Sequence, residues 1–316
     1  MPVAQRIEAA AGLVHGAIGA SPQISWPLLS QRLGAETWVK HENHLPTGAF
    51  KVRGGLTYIE HLRRDQPNVR GVIATTRGNH GQSIAFAARQ FGLPCVAVVP
   101  HGNSRSKNAA MRAYGAELIE TGDDFQAAYE ATQAIAEERR LHFVRSFHPA
   151  LVEGVATYGW ELMRAAPDLA TIYVPIGLGS GICGTIQARD LLGLKTEIVG
   201  VVAENAAAYA LSFEAKRPVS TNSADTIADG VACRVPAEDA LDVIWRGAAR
   251  IIRVSEDEIK AAMRIYFADT HNVAEGAGAT PLAAALKDKT RRPGKIGLIL
   301  SGGNVDTDVY AQVLSG

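Results

Sequence analysis

Cysteine is scarce in this 316-residue chain: Cys95, Cys183 and Cys233 are far apart and odd in number. They exclude a disulfide framework, read as free thiols of a reducing cytosol, and show no metal-ligand spacing. Excess charge is lacking too. Lysine plus arginine number 32, and aspartate plus glutamate 32. No basic surplus draws nucleic acid or an anionic membrane, so neither is expected as a partner. No charge-free run approaches the ~18 residues of a membrane span. The first twenty residues carry Arg6, Glu8 and His15 through an apolar pattern. That is an amphipathic helix rather than a signal peptide, and the expected location is the cytoplasm. Internal repeats and low-complexity tracts are missing.

What is present is a globular composition, 47% apolar, in a chain long enough for two packed units. Short β-branched runs alternate with longer helical patterns. Strands are predicted over 36–41, 70–76, 94–100, 116–121, 141–146, 171–176, 196–204 and 295–301. Helical stretches include 80–91, 104–114, 124–139, 182–193 and 256–269. Continuous apolar strands separated by helices imply an α/β architecture, with parallel-rich sheets flanked by helices on both faces.

Ligands of such sheets collect at the carboxyl ends of strands. Three ends are unusual: "VIATT" runs into "RGNHGQ" (77–82), "IYVPI" into "GLGSGICG" (177–184), and "GLIL" into "SGGN" (301–304). Singly, each reads as a tight turn; together they point to one shared site. "GLGSGICG" with the helix after it makes a phosphate cradle, and it lacks the lysine of an NTPase P-loop. Its "GSGICG" also fits the dinucleotide pattern GxGxxG, with Glu204 twenty residues beyond Gly184, so a nicotinamide enzyme stays open at this point. That reading leaves Lys51, "RGNHGQ" and "SGGN" without a use. Asn79 and His80 open a helix that can hold a carboxylate, and Arg77 beside Thr76 can clamp one with paired hydrogen bonds. The plainer alternatives are a helix cap for Asn79, a first-turn residue for His80 and a solvated charge for Arg77. Lys51 sits in "LPTGAFKVRG", between Phe50 and Val52; an ordinary surface lysine is its plainer alternative, which this flanking sequence disfavours. Apolar surroundings disfavour its cation and free a nucleophilic amine that can bond to an aldehyde. A cofactor with both an aldehyde and a phosphate is pyridoxal 5′-phosphate.

"PTGAFKVRGG", "RGNHGQS", "PIGLGSGICG" and "LSGGN", in this order, resemble the serine/threonine dehydratase group of pyridoxal-phosphate enzymes. That group has the tryptophan-synthase-β-like fold, fold type II. "VVPHGNSRSKNAAMRAYGAELI" (98–119), "TIADGVA" (226–232) and "EGAGA" (275–279) extend the similarity to roughly residues 20–305. The resemblance implies that Lys51 is the Schiff-base lysine and that Phe50 packs against the pyridine ring. Asn79 then bonds the phenolic oxygen, and Ser301 meets the pyridine nitrogen. Gly177, Leu178, Gly179, Ser180 and Gly181 give backbone N–H groups to the phosphate. Thr76, Arg77 and His80 surround the substrate carboxylate. It further implies β-elimination from a hydroxy-amino acid such as L-threonine or L-serine, with Lys51 as general base, yielding a 2-oxo acid and ammonia.

The departures from the group carry expectations too. Arg77 stands where many relatives have a serine that moves protons in racemases, so little racemisation is expected. The arginine either favours a second carboxylate, as in 3-hydroxyaspartate, or only grips the first. "GVAT" (154–157) replaces a frequent "GQGT", and Ala210 stands where some relatives place a metal-binding acid. Glu204 remains, but no required metal is expected. The chain ends about a dozen residues after "SGGN", so feedback by isoleucine through a C-terminal regulatory domain is not expected. Alternatives are a dehydratase for 3-hydroxyaspartate, phenylserine or a hydroxyectoine-derived amino acid, and a racemase of the same fold. A nicotinamide oxidoreductase or a non-catalytic binding protein is more remote. Residues 47–145 are expected to form a small mobile lobe, with 1–46 plus 146–316 forming the larger cofactor-binding one. Relatives of this group assemble as dimers or higher, which implies a homodimer.

Overall fold

The apolar runs become interior strands. The computed structural model describes residues 3–316. Its strands are β1 (Gln23–Ser25), β2 (Thr37–His41), β3 (Val72–Thr75), β4 (Cys95–Val99), β5 (Glu117–Glu120), β6 (His142–Phe143), β7 (Leu169–Pro175), β8 (Glu197–Ala203), β9 (Ala248–Val254) and β10 (Lys295–Leu300). Every residue of β3 and β4 is buried, and β7 and β8 nearly match them. Parallel strands covered by helices on both faces have no solvent side, so they need no polar alternation.

Two sheets result. A six-stranded sheet runs β1-β2-β10-β7-β8-β9, and a four-stranded sheet runs β5-β4-β3-β6. Only β1 pairs antiparallel with its neighbour; the remaining pairs are parallel. The smaller sheet is drawn from residues 72–143, the larger from the chain on either side. The α/β, parallel-rich expectation holds. Some helix starts carry side chains that satisfy free N–H groups. Asp124 accepts from the Ala127 N–H at 2.8 Å, and Ser255 and Glu258 form a reciprocal capping box.

Some elements differ from the sequence reading. β6 is two residues long rather than the six of 141–146. β1 and β9 are additional; β9 is interrupted by Arg250 and Arg253 and lies at a sheet edge, where one flank needs no apolar cover. Two long helices are additional as well, Pro149–Ala165 and Lys51–Asp65; the second carries the candidate lysine. Two glycines mask it, because glycine is a poor helix former. They serve close packing: a Cβ on Gly54 would lie 2.6 Å from the Leu151 carbonyl oxygen, in the helix Pro149–Ala165. The approach is mutual, since a Cβ on Gly154 would strike the Arg53 carbonyl oxygen.

Those two helices enclose a fully buried charge network. Arg53 Nε donates to Glu42 at 2.7 Å, and its terminal nitrogens reach Glu161 at 2.5 and 2.9 Å and Thr157 at 2.9 Å. Lys40 Nζ adds a bond to Glu161 at 2.5 Å and one to the Ser21 carbonyl at 2.8 Å. Burial alone would push Glu161 up, but Arg53 and Lys40 overcome it and hold the carboxyl down at about 2. Two cations thus face two carboxylates, which keeps the desolvated cluster neutral. Arg53 lies two residues beyond Lys51, so the network anchors the first turn of the helix that carries the amine.

Candidate active site

The segment around Lys51 is zipped to the end of β10. Ala49 bridges antiparallel to Gly302. The Phe50 N–H donates to the Ser301 carbonyl at 3.0 Å, and the Gly303 N–H to the Gly48 carbonyl at 2.9 Å. Gly48 takes a φ of 66°, and the Asn304 side chain fills the space its Cβ would need. The lysine's neighbour reaches the glycine loop as well. Phe50 meets Tyr158 edge-on, ring centroids 5.9 Å apart, and Tyr158 Oη donates to the Gly181 carbonyl at 2.8 Å. The Lys51 Nζ stands 5.0 Å from the Phe50 ring centroid. Asn79 closes the circle: its Nδ2 donates to Glu275 Oε1 at 2.8 Å, and its Oδ1 accepts from Asn304 Nδ2 at 2.8 Å. Residues from the ends of β3, β7 and β10 therefore share one region with Lys51.

The glycine loop after β7 is built for an anion. None of the backbone N–H groups of Gly177, Leu178, Gly179, Ser180 and Gly181 has an acceptor among the described residues; the first bond to return is Cys183 N–H to the Gly179 carbonyl at 3.0 Å. Gly179, Ser180 and Gly181 are buried, and buried donors without partners are costly. Gly179 has a φ of 98°, and a Cβ there would lie 2.6 Å from Ala240 Cβ. At Gly177 a Cβ would collide with the Gly230 carbonyl oxygen. The Leu178 carbonyl is pinned by Tyr209 Oη at 2.8 Å. The helix that begins at Ser180 adds its positive end.

A second set of free donors lies after β3. Thr76 is buried, and its Oγ1 accepts from the N–H groups of Gly78 at 2.8 Å and Gly81 at 2.9 Å. That oxygen is committed to shaping the turn. The N–H groups of Arg77, Asn79 and His80 have no acceptor among the described residues, and the helix Asn79–Gln90 starts there. Gly78, not Asn79, occupies the cap position. The Arg77 side chain is exposed and pairs with no carboxylate among the described residues.

Burial sets the charges. Lys51 is half-buried by surface area, yet enough protein crowds it that desolvation lowers its pKa to about 8, against the opposing pull of Glu275. Burial, with the positive charge of Lys51, lowers His80 to about 3, although hydrogen bonding to the Val144 backbone works the other way. His80 is therefore neutral at ordinary pH, and its buried Nε2 has no hydrogen-bond partner. Burial raises the Glu275 carboxyl; Lys107 and Asn79 oppose that shift. Lys107 Nζ stands 3.9 Å from Glu275 and 3.5 Å from Asp229. A cavity of about 240 Å³ adjoins this group, lined by Lys107, Asp229, Glu275, Asn304 and Asp306 among others; Lys51 does not line it.

Glu275, Asn304, Lys107, Tyr158 and Gly230 were given no role from sequence. Glu275, Lys107 and Gly230 lie inside the recognised stretches "EGAGA", "SRSKNAA" and "TIADGVA", and Asn304 ends "SGGN". Their motifs were visible, but the contacts between distant motifs, such as those of Glu275 and Asn304 with Asn79 across 196 and 225 residues, were not.

Comparison with known proteins follows the same line. Residues 14–302 match the family described as pyridoxal-phosphate dependent enzyme. The chain is 34% identical over 289 residues to an L-threonine ammonia-lyase of Thermotoga maritima, covering 91% of this chain and 72% of that protein. It is 33% identical over 314 residues to a catabolic L-threonine dehydratase of Staphylococcus aureus, covering 98% and 90%. Among solved structures, a threonine deaminase from T.th. aligns with a TM-score of 0.90 at 32% identity, over 96% of this chain and 98% of that one. A pyridoxal 5′-phosphate-dependent aspartate racemase aligns with a TM-score of 0.92 at 28% identity, over 96% of each. The nicotinamide reading of "GSGICG" is set aside by a match of this extent. A crowded, easily deprotonated lysine, joined through an aromatic pair to a loop of unused amide donors, is what a phosphorylated aldehyde requires, and the chain belongs to the family of pyridoxal-phosphate dependent enzymes.

Proposed function

We propose that the protein is an ammonia-lyase that eliminates water from a small hydroxy-amino acid, L-threonine or L-serine, and delivers a 2-oxo acid and ammonia. The observation that carries this reading is the Lys51 amine. Its pKa is lowered to about 8 by burial, and a chain of contacts through Phe50 and Tyr158 links it to Gly181. The names of the threonine ammonia-lyase and dehydratase relatives support it.

The residues fit pyridoxal 5′-phosphate. The free N–H groups of residues 177–181 suit its phosphate, and Lys51 suits its aldehyde carbon. Phe50 would face the ring, Asn79 the phenolic oxygen and Ser301 the ring nitrogen. When bound, the cofactor supplies a sink for the electron pair left on the substrate α-carbon. The Lys51 amine takes the α-proton as general base. With the cofactor bound, a neutral hydroxyl at Ser301 would leave the ring nitrogen largely unprotonated, which would favour elimination over transamination. The N–H groups of Arg77, Asn79 and His80 at a helix start hold the substrate carboxylate, with the Arg77 guanidinium alongside. Thr76 keeps that turn in shape. His80 stays neutral and contributes no charge. As the Cα–Cβ double bond forms, the β-hydroxyl takes up a proton and leaves as water, which balances the α-proton held by Lys51. The freed enamine takes a proton at Cβ to become an imine, and water hydrolyses its carbon–nitrogen bond to the oxo acid and ammonia.

Closure of lobe 47–145 onto 1–46 plus 146–316 would exclude bulk water during these steps. No helix among the described residues is long and apolar enough to cross a membrane; a homodimer in the cytoplasm, taking a free amino acid, belongs to the same reading.

A panel of threonine, serine, 3-hydroxyaspartate and phenylserine, assayed for 2-oxo acid release, tests it. Release from threonine or serine, lost in Lys51→Ala, is expected. Bound cofactor without oxo-acid release from any of the four would overturn it. The unpaired Arg77 supports one second reading, a substrate with two carboxylates, for which 3-hydroxyaspartate must be the fastest of the panel.

A further inference from the structure

Asn79 does not stand alone. Asn304 spends both hydrogens of its Nδ2, one on the Thr47 carbonyl at 2.8 Å and one on Asn79 Oδ1 at 2.8 Å. Asn79 Nδ2 in turn donates to Glu275 Oε1 at 2.8 Å. Both ends of this chain are acceptors: a backbone carbonyl at Thr47 and a carboxylate at Glu275. A backbone carbonyl can only accept, so Thr47 turns the Asn304 nitrogen inward, where it donates to the Asn79 oxygen. The Asn79 nitrogen is left facing Glu275 Oε1. The direction of every bond is thereby set from outside Asn79. Two hydrogens sit on Asn79 Nδ2 and Glu275 takes one; the other remains free.

We propose that Glu275 and Asn304 are positioning residues for Asn79: together they hold its amide in the orientation that offers the spare Nδ2 hydrogen to the cofactor's phenolic oxygen. This inference rests on the role proposed above for Asn79. Glu275 is buried, so water does not readily replace it as the acceptor. The segment that bears Thr47 leads directly to Lys51, so Asn304 also ties the base and Asn79 to one rigid element. A hydrogen bond from Asn79 to the phenolic oxygen disfavours the cofactor tautomer that keeps a proton there. That tautomer absorbs in the near ultraviolet, whereas its partner absorbs in the visible, so the ratio of the two bands reports the bond without turnover.

The test uses purified holoenzyme and compares Asn79→Ala, Glu275→Gln, Asn304→Ala and the double variant Asn79→Ala with Glu275→Gln. Glu275→Gln keeps the shape but offers one oxygen and one NH2, so the acceptor facing Asn79 Nδ2 is no longer assured and only Asn304 holds the amide. Asn79→Ala is expected to move intensity from the visible to the near-ultraviolet band. Glu275→Gln and Asn304→Ala should move it in the same direction, with cofactor retention on dialysis weakened about tenfold. The double variant should go no further than Asn79→Ala, because the acceptor acts only through Asn79. A wild-type band ratio in both Glu275→Gln and Asn304→Ala, with Asn79→Ala shifted, overturns the inference. A wild-type ratio in Asn79→Ala overturns the underlying role of Asn79 instead. Thermal unfolding of each variant separates misfolding from misorientation, and if Asn304→Ala does not fold, Glu275→Gln alone decides.

Discussion

The depressed pKa of Lys51 can be measured on cofactor-free protein, and pH is the perturbation. An ordinary lysine near 10.4 is only about 0.04% free amine at pH 7. With its pKa lowered to about 8 by burial, Lys51 is about 9% free amine at that pH, roughly a 230-fold advantage from deprotonation alone. Access works against a crowded amine, so absolute rates mislead; the midpoint of the pH profile does not depend on access. Competitive labelling with trace acetic anhydride between pH 6 and 11, followed by peptide mapping, should place the Lys51 midpoint near 8 and those of the surface lysines near 10. Glu275 supplies the part of the balance that raises the Lys51 value, so Glu275→Gln should move the midpoint lower still. A Lys51 midpoint at or above 10 would refute the reasoning, since the amine would then be an ordinary solvated cation.

Three further outcomes follow from the geometry. Gly179→Ala places a side chain at a φ of 98° with Ala240 Cβ 2.6 Å away; strain of about 1–3 kcal/mol should appear as at least a several-fold loss of cofactor retention in equilibrium dialysis. Arg53→Met leaves Glu42 and Glu161 facing only Lys40 and His15, so denaturant unfolding should show a loss of about 3–5 kcal/mol, whereas an unchanged midpoint would mean that the buried network contributes nothing. Arg77→Ser should raise KM about tenfold with little change in kcat if the guanidinium grips the substrate carboxylate in ground and transition states alike; unchanged kinetics would remove Arg77 from the substrate site.

The α/β frame was legible because buried parallel strands announce themselves as unbroken apolar runs. β3, β4, β7, β8 and β10 all fall within a residue or two of the predicted stretches. The helix Lys51–Asp65 was not legible: Gly54 and Gly55 read as flexible chain, when they are there so that the helix Pro149–Ala165 and Ser83 can approach. β9 was hidden for a related reason, since an edge strand can carry Arg250 and Arg253 without breaking its ladder. In both cases the deciding contact lies elsewhere in the chain, and a local pattern cannot contain it.

The same distinction runs through the site. Glycine loops at strand ends could be read because an anion needs free N–H groups and close backbone approach, both of which are local demands on residue type. Thr76 shows the limit of reading side chains from a motif: its hydroxyl oxygen accepts from two N–H groups of its own turn, so the donors that turn can offer a carboxylate are mainly backbone ones. Glu275 and Asn304 show the other limit. Each looks like an ordinary polar residue at a helix start or strand end, yet they meet Asn79 from separations of 196 and 225 residues. Asn79 sits after β3 in the small sheet, and Asn304 after β10 in the large one. A bond between them is a bond between the two sheets. If the lobes move as proposed, the orientation of Asn79 and the separation of the sheets cannot change independently, because the same amide reports both.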